Sequence, residues 1–115
     1  MHELSIALSI LEMAAEEAGR LGGAKVKAVH LKLGPLSGVA GDALVAAFDL
    51  AREGFPSKDC RLLIEEVPLT VRCAACGGTR PAVSVQELAC SACGAPAGEV
   101  VSGREMEVVA LEIAD

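Results

Sequence analysis

Residues 73–93 read CAACGGTRPAVSVQELACSAC, and this stretch decides the fold. It holds four of the chain's five cysteines as Cys73-Ala-Ala-Cys76 and Cys90-Ser-Ala-Cys93, separated by thirteen residues. A Cys-x2-Cys knuckle places two thiolates where they can grip one ion. If the chain between the knuckles makes a hairpin, the pairs meet in a closed tetrahedral site of four thiolates, the set that zinc favours. Gly77-Gly78 and Gly94 stand directly after the pairs, where a knuckle turn needs positive φ. Four protein sulfurs leave no position for water, so the expected role of Cys73, Cys76, Cys90 and Cys93 is structural rather than hydrolytic or redox. A disulfide framework is the alternative. It suits an oxidising compartment, and nothing at the start of the chain reads as a secretory signal, since Glu3 is present and a basic leader region is not. The cytoplasm is therefore expected.

Residues 72–103 are rich in Gly, Ala, Cys and Pro, with one short apolar run around Val83 and Val85. Such a segment buries little apolar surface and needs a staple, which the metal would supply. The flanks read differently. Leu4, Leu8, Leu11, Ala15 and Ala18 recur at helical spacing, giving a helix from about residue 3 to Arg20 that stops at Gly22-Gly23. Val26 to Leu33 alternates as a half-buried strand and ends at Gly34-Pro35. A second helix spans about Gly41 to Glu53, with Gly41 or Asp42 as its cap. Arg61 to Val71 reads as a second strand with Pro68 at an edge or bulge. After Gly103 a strand pattern returns through Met106, Val108, Val109, Leu111 and Ile113, and the slip at Val108–Val109 suggests a bulge. The expected fold is α+β: a small three-stranded sheet with two helices from residues 1–71 and 104–115, carrying an inserted zinc-ribbon domain at residues 72–103.

Composition limits the function. The net charge is −6 and aromatic residues are almost absent. With no basic stripe and no stacking ring near the cysteines, nucleic acid is not expected as a partner. The longest apolar run, Leu4 to Ala15, is interrupted by Glu12 and too short to span a bilayer. Cys60 reads as a small buried hydrophobe, and His30 as a surface histidine without a role.

The remaining candidate site is the opening Met1-His2-Glu3. Histidine is large, so Met1 should be retained. An α-amine with a pKa of about 7.7–8.0 then lies one residue from an imidazole with a pKa of about 6.5. The Met1 amine, the His2 amide nitrogen and His2 Nδ1 can close adjacent chelate rings in one plane. The Glu3 amide or a partner can supply the fourth donor. Planar nitrogen donors with a deprotonated amide suit Ni(II) or Cu(II) rather than Zn(II). Taken alone, a histidine at position 2 is a weak signal and is more often incidental. A His-Glu-x-x-His protease motif is excluded by Ile6.

The two signals together, with the closing SGREMEV (102–108), resemble the HypA/HybF family of hydrogenase and, in some cases, urease nickel-incorporation metallochaperones. LKLGPLSGV (31–39), AAFDLAREG (46–54) and LLIEEVPLTVRC (62–73) match in order and spacing, so the resemblance covers essentially the whole chain. It implies a nickel-binding α/β domain with His2 as principal ligand beside Met1 and Glu3, and a zinc domain held by Cys73, Cys76, Cys90 and Cys93. It also implies a non-enzymatic carrier that works with a nickel-handling GTPase to load the [NiFe]-hydrogenase large subunit, in some cases alongside urease maturation proteins. The chain has no phosphate-binding Gly-x4-Gly-Lys loop, so a nucleotide-driven step falls to the partner. There are departures. Gly77 and Gly94 stand where some relatives place histidines, so a histidine-based pH response at zinc is not expected. Ala40 stands where some relatives are acidic, and Asp42 is the nearby substitute. The rival reading is a zinc-ribbon adaptor without a nickel function.

Overall fold

A computed structural model describes residues 2–114 of the chain. In chain order the elements are α1 (Glu3–Arg20), β1 (Lys25–Leu33), α2 (Gly41–Ala51), β2 (Arg61–Glu66), β3 (Thr70–Cys73), β4 (Gly78–Pro81), β5 (Glu99–Ser102) and β6 (Met106–Ala114). They fall into two compact units. The first is the chain through Lys32, Val39–Glu65 and the chain from Glu107. The second is Leu33–Gly38 with Glu66–Met106.

In the first unit the three-stranded sheet runs β2-β1-β6, so the last strand does return to the sheet. Both helices join it in one apolar cluster built on Leu11, Val29, Leu31, Leu44, Phe48 and Leu62. Burying a side chain such as Phe48, which is fully enclosed, contributes about 1.5–3 kcal/mol. α1 begins and ends where expected, and Gly22 and Gly23 take φ of 77° and 81° at its stop. Its buried stripe differs from the expected one. Ala7, Ile10, Leu11, Ala14 and Ala18 face the core, whereas Leu4 and Leu8 are 51% and 38% exposed. Small alanines let the helix lie close to its neighbours. The large leucines stand to the side.

α2 ends at Ala51 and continues as a 3-10 turn through Gly54. Its N-cap is Ala40, with no side-chain cap, rather than Gly41 or Asp42. In β6, Val108 and Leu111 both pack against the core. β6 runs unbroken from Met106 to Ala114 along the side of the central strand. Met106, Val109 and Ile113, expected on the apolar side, are exposed.

The expected second strand is two strands in two sheets. β2 stops at Glu66 and β3 starts at Thr70. Between them Val67 N–H donates to the Leu33 carbonyl (2.9 Å), while Pro68 has no N–H to give to a ladder. The second unit has its own antiparallel sheet, β4-β3-β5. Thr70 and Ser102 hydroxyls meet at 2.6 Å beside its first register position, and Ser102 Oγ also donates to the Pro68 carbonyl. Val83 and Val85, the only apolar run expected inside the insert, are exposed. Elsewhere in this unit two backbones touch. Gly34 N–H donates to the Glu105 carbonyl (2.8 Å) and Leu36 N–H to the Gly103 carbonyl (2.7 Å). A Cβ on Gly34 would collide with the Gly103 carbonyl. One on Gly103, whose φ is 121°, would lie 2.7 Å from Leu69.

Candidate metal centre

The four paired cysteines converge. Cys73 ends β3 opposite Gly78 of β4, so the first knuckle is the turn of that hairpin. The second knuckle is held by bridges pairing Ala82 with Cys90 and Ala89 with Pro96. The two knuckles share one local geometry. Gly77 N–H donates to the Cys73 carbonyl (2.9 Å), and Gly94 N–H donates to the Cys90 carbonyl (2.8 Å). Both glycines are left-handed, at φ 75° and 77°, where a side chain would be strained. Cys73 and Cys90 are buried, Cys76 is half-buried, and Cys93 is exposed.

The sulfurs lie 3.5 Å apart for Cys73–Cys93 and 3.8 Å for Cys76–Cys90, and all four fall within 4.8 Å of one another. A tetrahedron with metal–sulfur bonds of about 2.3 Å has edges of about 3.8 Å, so the donor set fits a four-coordinate thiolate centre. Its electrostatics point the same way. Burial pushes the Cys90 thiol up, but backbone N–H groups of Cys93 and Ala92, with the Cys76 and Cys73 thiols, bring it down to about 7. Contacts with the Cys93, Cys90 and Cys73 sulfurs push Cys76 up to about 12. Four thiols so close cannot all ionise together. A divalent cation removes that conflict by displacing the remaining protons.

The amino terminus is a second cluster of potential donors, in the first unit. His2 is exposed at the N-cap of α1, and its carbonyl accepts the first helical bond, from Ile6 N–H (3.1 Å). The first backbone N–H groups of a helix have no carbonyl partner within it. The His2 and Glu3 amides are thus not held in the helical ladder, and the positive end of the helix favours an ionised amide nitrogen. Met1, whose amine belongs to the expected ligand set, lies outside the described residues.

Glu3 does something the sequence could not reveal. Its carboxylate accepts the Ala40 N–H at 3.3 Å, which ties the start of α1 to the cap of α2. Its own backbone N–H and that of Ala40 hold its carboxyl below the ordinary value. Ala40 meets Glu3 through the backbone, while Asp42 sits exposed in the first turn of α2. His30 pairs with Glu112 at 3.6 Å. Cys60 is buried, and that burial pushes its thiol up. Neither is close enough to other metal-binding side chains to form a cluster of three.

The model of the family described as hydrogenase/urease nickel incorporation, metallochaperone, HypA, matches residues 1–113. The chain belongs to this family. Similar curated proteins include the hydrogenase maturation factor HypA of Roseiflexus sp. (strain RS-1), 48% identical over 100% of this chain and 94% of that one. The factor of the same name from Chloroflexus aggregans is 44% identical over 97% and 98%. Among solved structures, a solution structure of HypA protein superposes with TM-score 0.71 at 25% identity, covering 99% of this chain and 97% of the other. The solution structure of the Ni metallochaperone HypA from Helicobacter pylori gives 0.64 at 25% identity, over 98% and 97%. As a member of this family the chain is a metallochaperone for nickel incorporation in hydrogenase maturation, not an enzyme. No helix among the described residues is long and apolar enough to cross a membrane.

Proposed function

We propose that this metallochaperone binds Ni(II) through Met1, His2 and Glu3 and keeps Zn(II) at Cys73, Cys76, Cys90 and Cys93. It then hands nickel, together with a nickel-handling GTPase in the cytoplasm, to the [NiFe]-hydrogenase large subunit. Urease maturation proteins are a further class of recipient for this family's cargo. On this reading residues 1–71 and 104–115 handle nickel, and residues 72–103 hold zinc. The observation that carries it is the exposed His2 at a helix N-cap, beside amide nitrogens the helix leaves unused. Nickel is the cargo: an exposed set of nitrogens binds it and can release it when a recipient offers a more complete set.

Zinc, when bound, cross-links two knuckles in a unit that buries little apolar surface. The Cys76 N–H, 3.3 Å from Cys73 Sγ, supports the same charge. Among the described residues the cluster consists of the four cysteines, a donor set suited to holding an ion.

The test is nickel titration of protein bearing its own amino terminus, followed by absorption and calorimetry. A planar nitrogen spectrum should appear. It should vanish in His2→Ala and in protein carrying an N-terminal tag before Met1, with zinc content unchanged in both. Nickel affinity that survives both changes overturns the terminal site and favours the zinc-ribbon adaptor.

A further inference from the structure

The charge on this chain is unevenly spread. It has a net charge of −6 and only ten Lys and Arg residues. Four of those ten, Lys25, Lys27, Lys58 and Arg61, line a single hollow of about 480 Å³ in the first unit, with Asp59 the one acid among its described lining residues. β1 carries Lys25 and Lys27, β2 begins with Arg61, and the turn before it carries Lys58. All four are exposed. Among the described residues none of the four makes an ion pair, whereas Arg20, Arg52 and Arg72 each have a carboxylate within 3.5 Å. Like charges placed together cost stability, and among the described residues lining the hollow only Asp59 offsets them. The lining also has an apolar part, made by Val26, Pro56 and Ala114. Ser57, also in the lining, accepts the Val26 N–H at 3.2 Å.

We infer that this hollow is a docking site for an acidic segment of a partner protein. The segment would be extended and carry Asp or Glu around an apolar residue. The basic side chains select carboxylates, and the apolar lining receives the side chain between them. Two alternatives fit less well. A phosphate ion would use the basic side chains alone, and those stand exposed rather than in an enclosed cradle. A nucleic acid or an anionic bilayer presents negative charge over a wide area, and the rest of this chain would repel it. A short acidic peptide meets only the patch. Such a contact speeds encounter and selects partners more than it adds affinity, as a carrier that must release its recipient requires. The proposal concerns a surface that contains none of the proposed nickel or zinc ligands.

The test uses the full chain, isotopically labelled, with a short acetylated Glu-Leu-Glu-Glu-Leu-Glu peptide as probe. Amide shifts should gather at Lys25, Lys27 and Ser57–Arg61, and the affinity should fall as salt rises. The Lys25→Gln, Lys27→Gln, Lys58→Gln, Arg61→Gln variant should bind at least about tenfold more weakly. These side chains are exposed and repel one another, so the variant should stay folded with a thermal midpoint no lower than that of the unaltered chain, and it should keep its nickel spectrum. Shifts elsewhere, affinity independent of salt, or affinity equal in the variant would overturn the proposal. So would inorganic phosphate, an oligonucleotide or phosphatidylglycerol vesicles that shift the same amides as strongly as the peptide at matched concentration. A lost nickel spectrum in the unaltered chain would leave this proposal standing and remove only the terminal site.

Discussion

The amino terminus and the cysteine cluster are opposite ways to hold an ion. On the proposed reading the first is a run of consecutive residues at one helix end, where His2 is exposed and backbone nitrogens are the main donors. The second takes single atoms from two distant pairs and works only when a hairpin and two bridges bring them together. A local site can bind and let go without disturbing the fold. A site closed by long-range contacts makes ion and fold depend on each other.

Cys90→Ser should show that dependence most strongly. Structural zinc contributes apparent binding energies of roughly 10–16 kcal/mol in small zinc domains, and losing a ligand forfeits much of this. The expected result is loss of bound zinc and collapse of the amide dispersion of residues 70–102, with α1 still helical. Retained metal and dispersion would break the contrast. Next comes Gly34→Ala, which forces a Cβ into the Gly103 carbonyl. Overpacking of this kind costs about 1–3 kcal/mol, read as a lower urea midpoint with both metals still bound. An unchanged midpoint would mean the two backbones separate easily.

His2→Ala sharpens the other side. It should remove nickel binding yet move stability by no more than about 0.5 kcal/mol, since His2 is exposed and its cap function is carried by the backbone. A large drop in thermal midpoint would show that the terminal site is tied into the fold. The smallest effect concerns Cys60. Its thiol is raised by burial, so the folded chain keeps it neutral while the unfolded chain ionises near 9. The stability it contributes is present below that value and is lost as pH rises above it. Cys60→Ala should flatten the alkaline limb of a stability profile slightly, and an unchanged limb would contradict the assignment.

Much of this was legible because local chemistry wrote it. Gly22-Gly23 marked the end of α1, and the spacing of four cysteines with trailing glycines marked both knuckles. The buried face of α1 was misread because hydropathy favours Leu4 and Leu8. The packing instead uses Ala7 and Ala14, whose merit is small size against near neighbours. The break between β2 and β3 was hidden because Leu63 to Val71 keeps its alternation through Pro68. Only the partner strands reveal that two sheets share it. The Glu3–Ala40 bond joins residues far apart in sequence, and nothing near either one announces it.

The sheet order has a consequence for the chain as it is made. β1 is the central strand, and one of its two neighbours, β6, follows every other described element in the chain. Until β6 emerges, β1 offers an open edge rich in Val and Leu, the kind of edge that recruits stray strands. The knuckles emerge earlier and can close on their ion while that edge still waits. In a cell short of metal, the second unit would be unfinished just when the first needs its final strand delivered. The hazard would then be aggregation on the ribosome's timescale rather than loss of cargo.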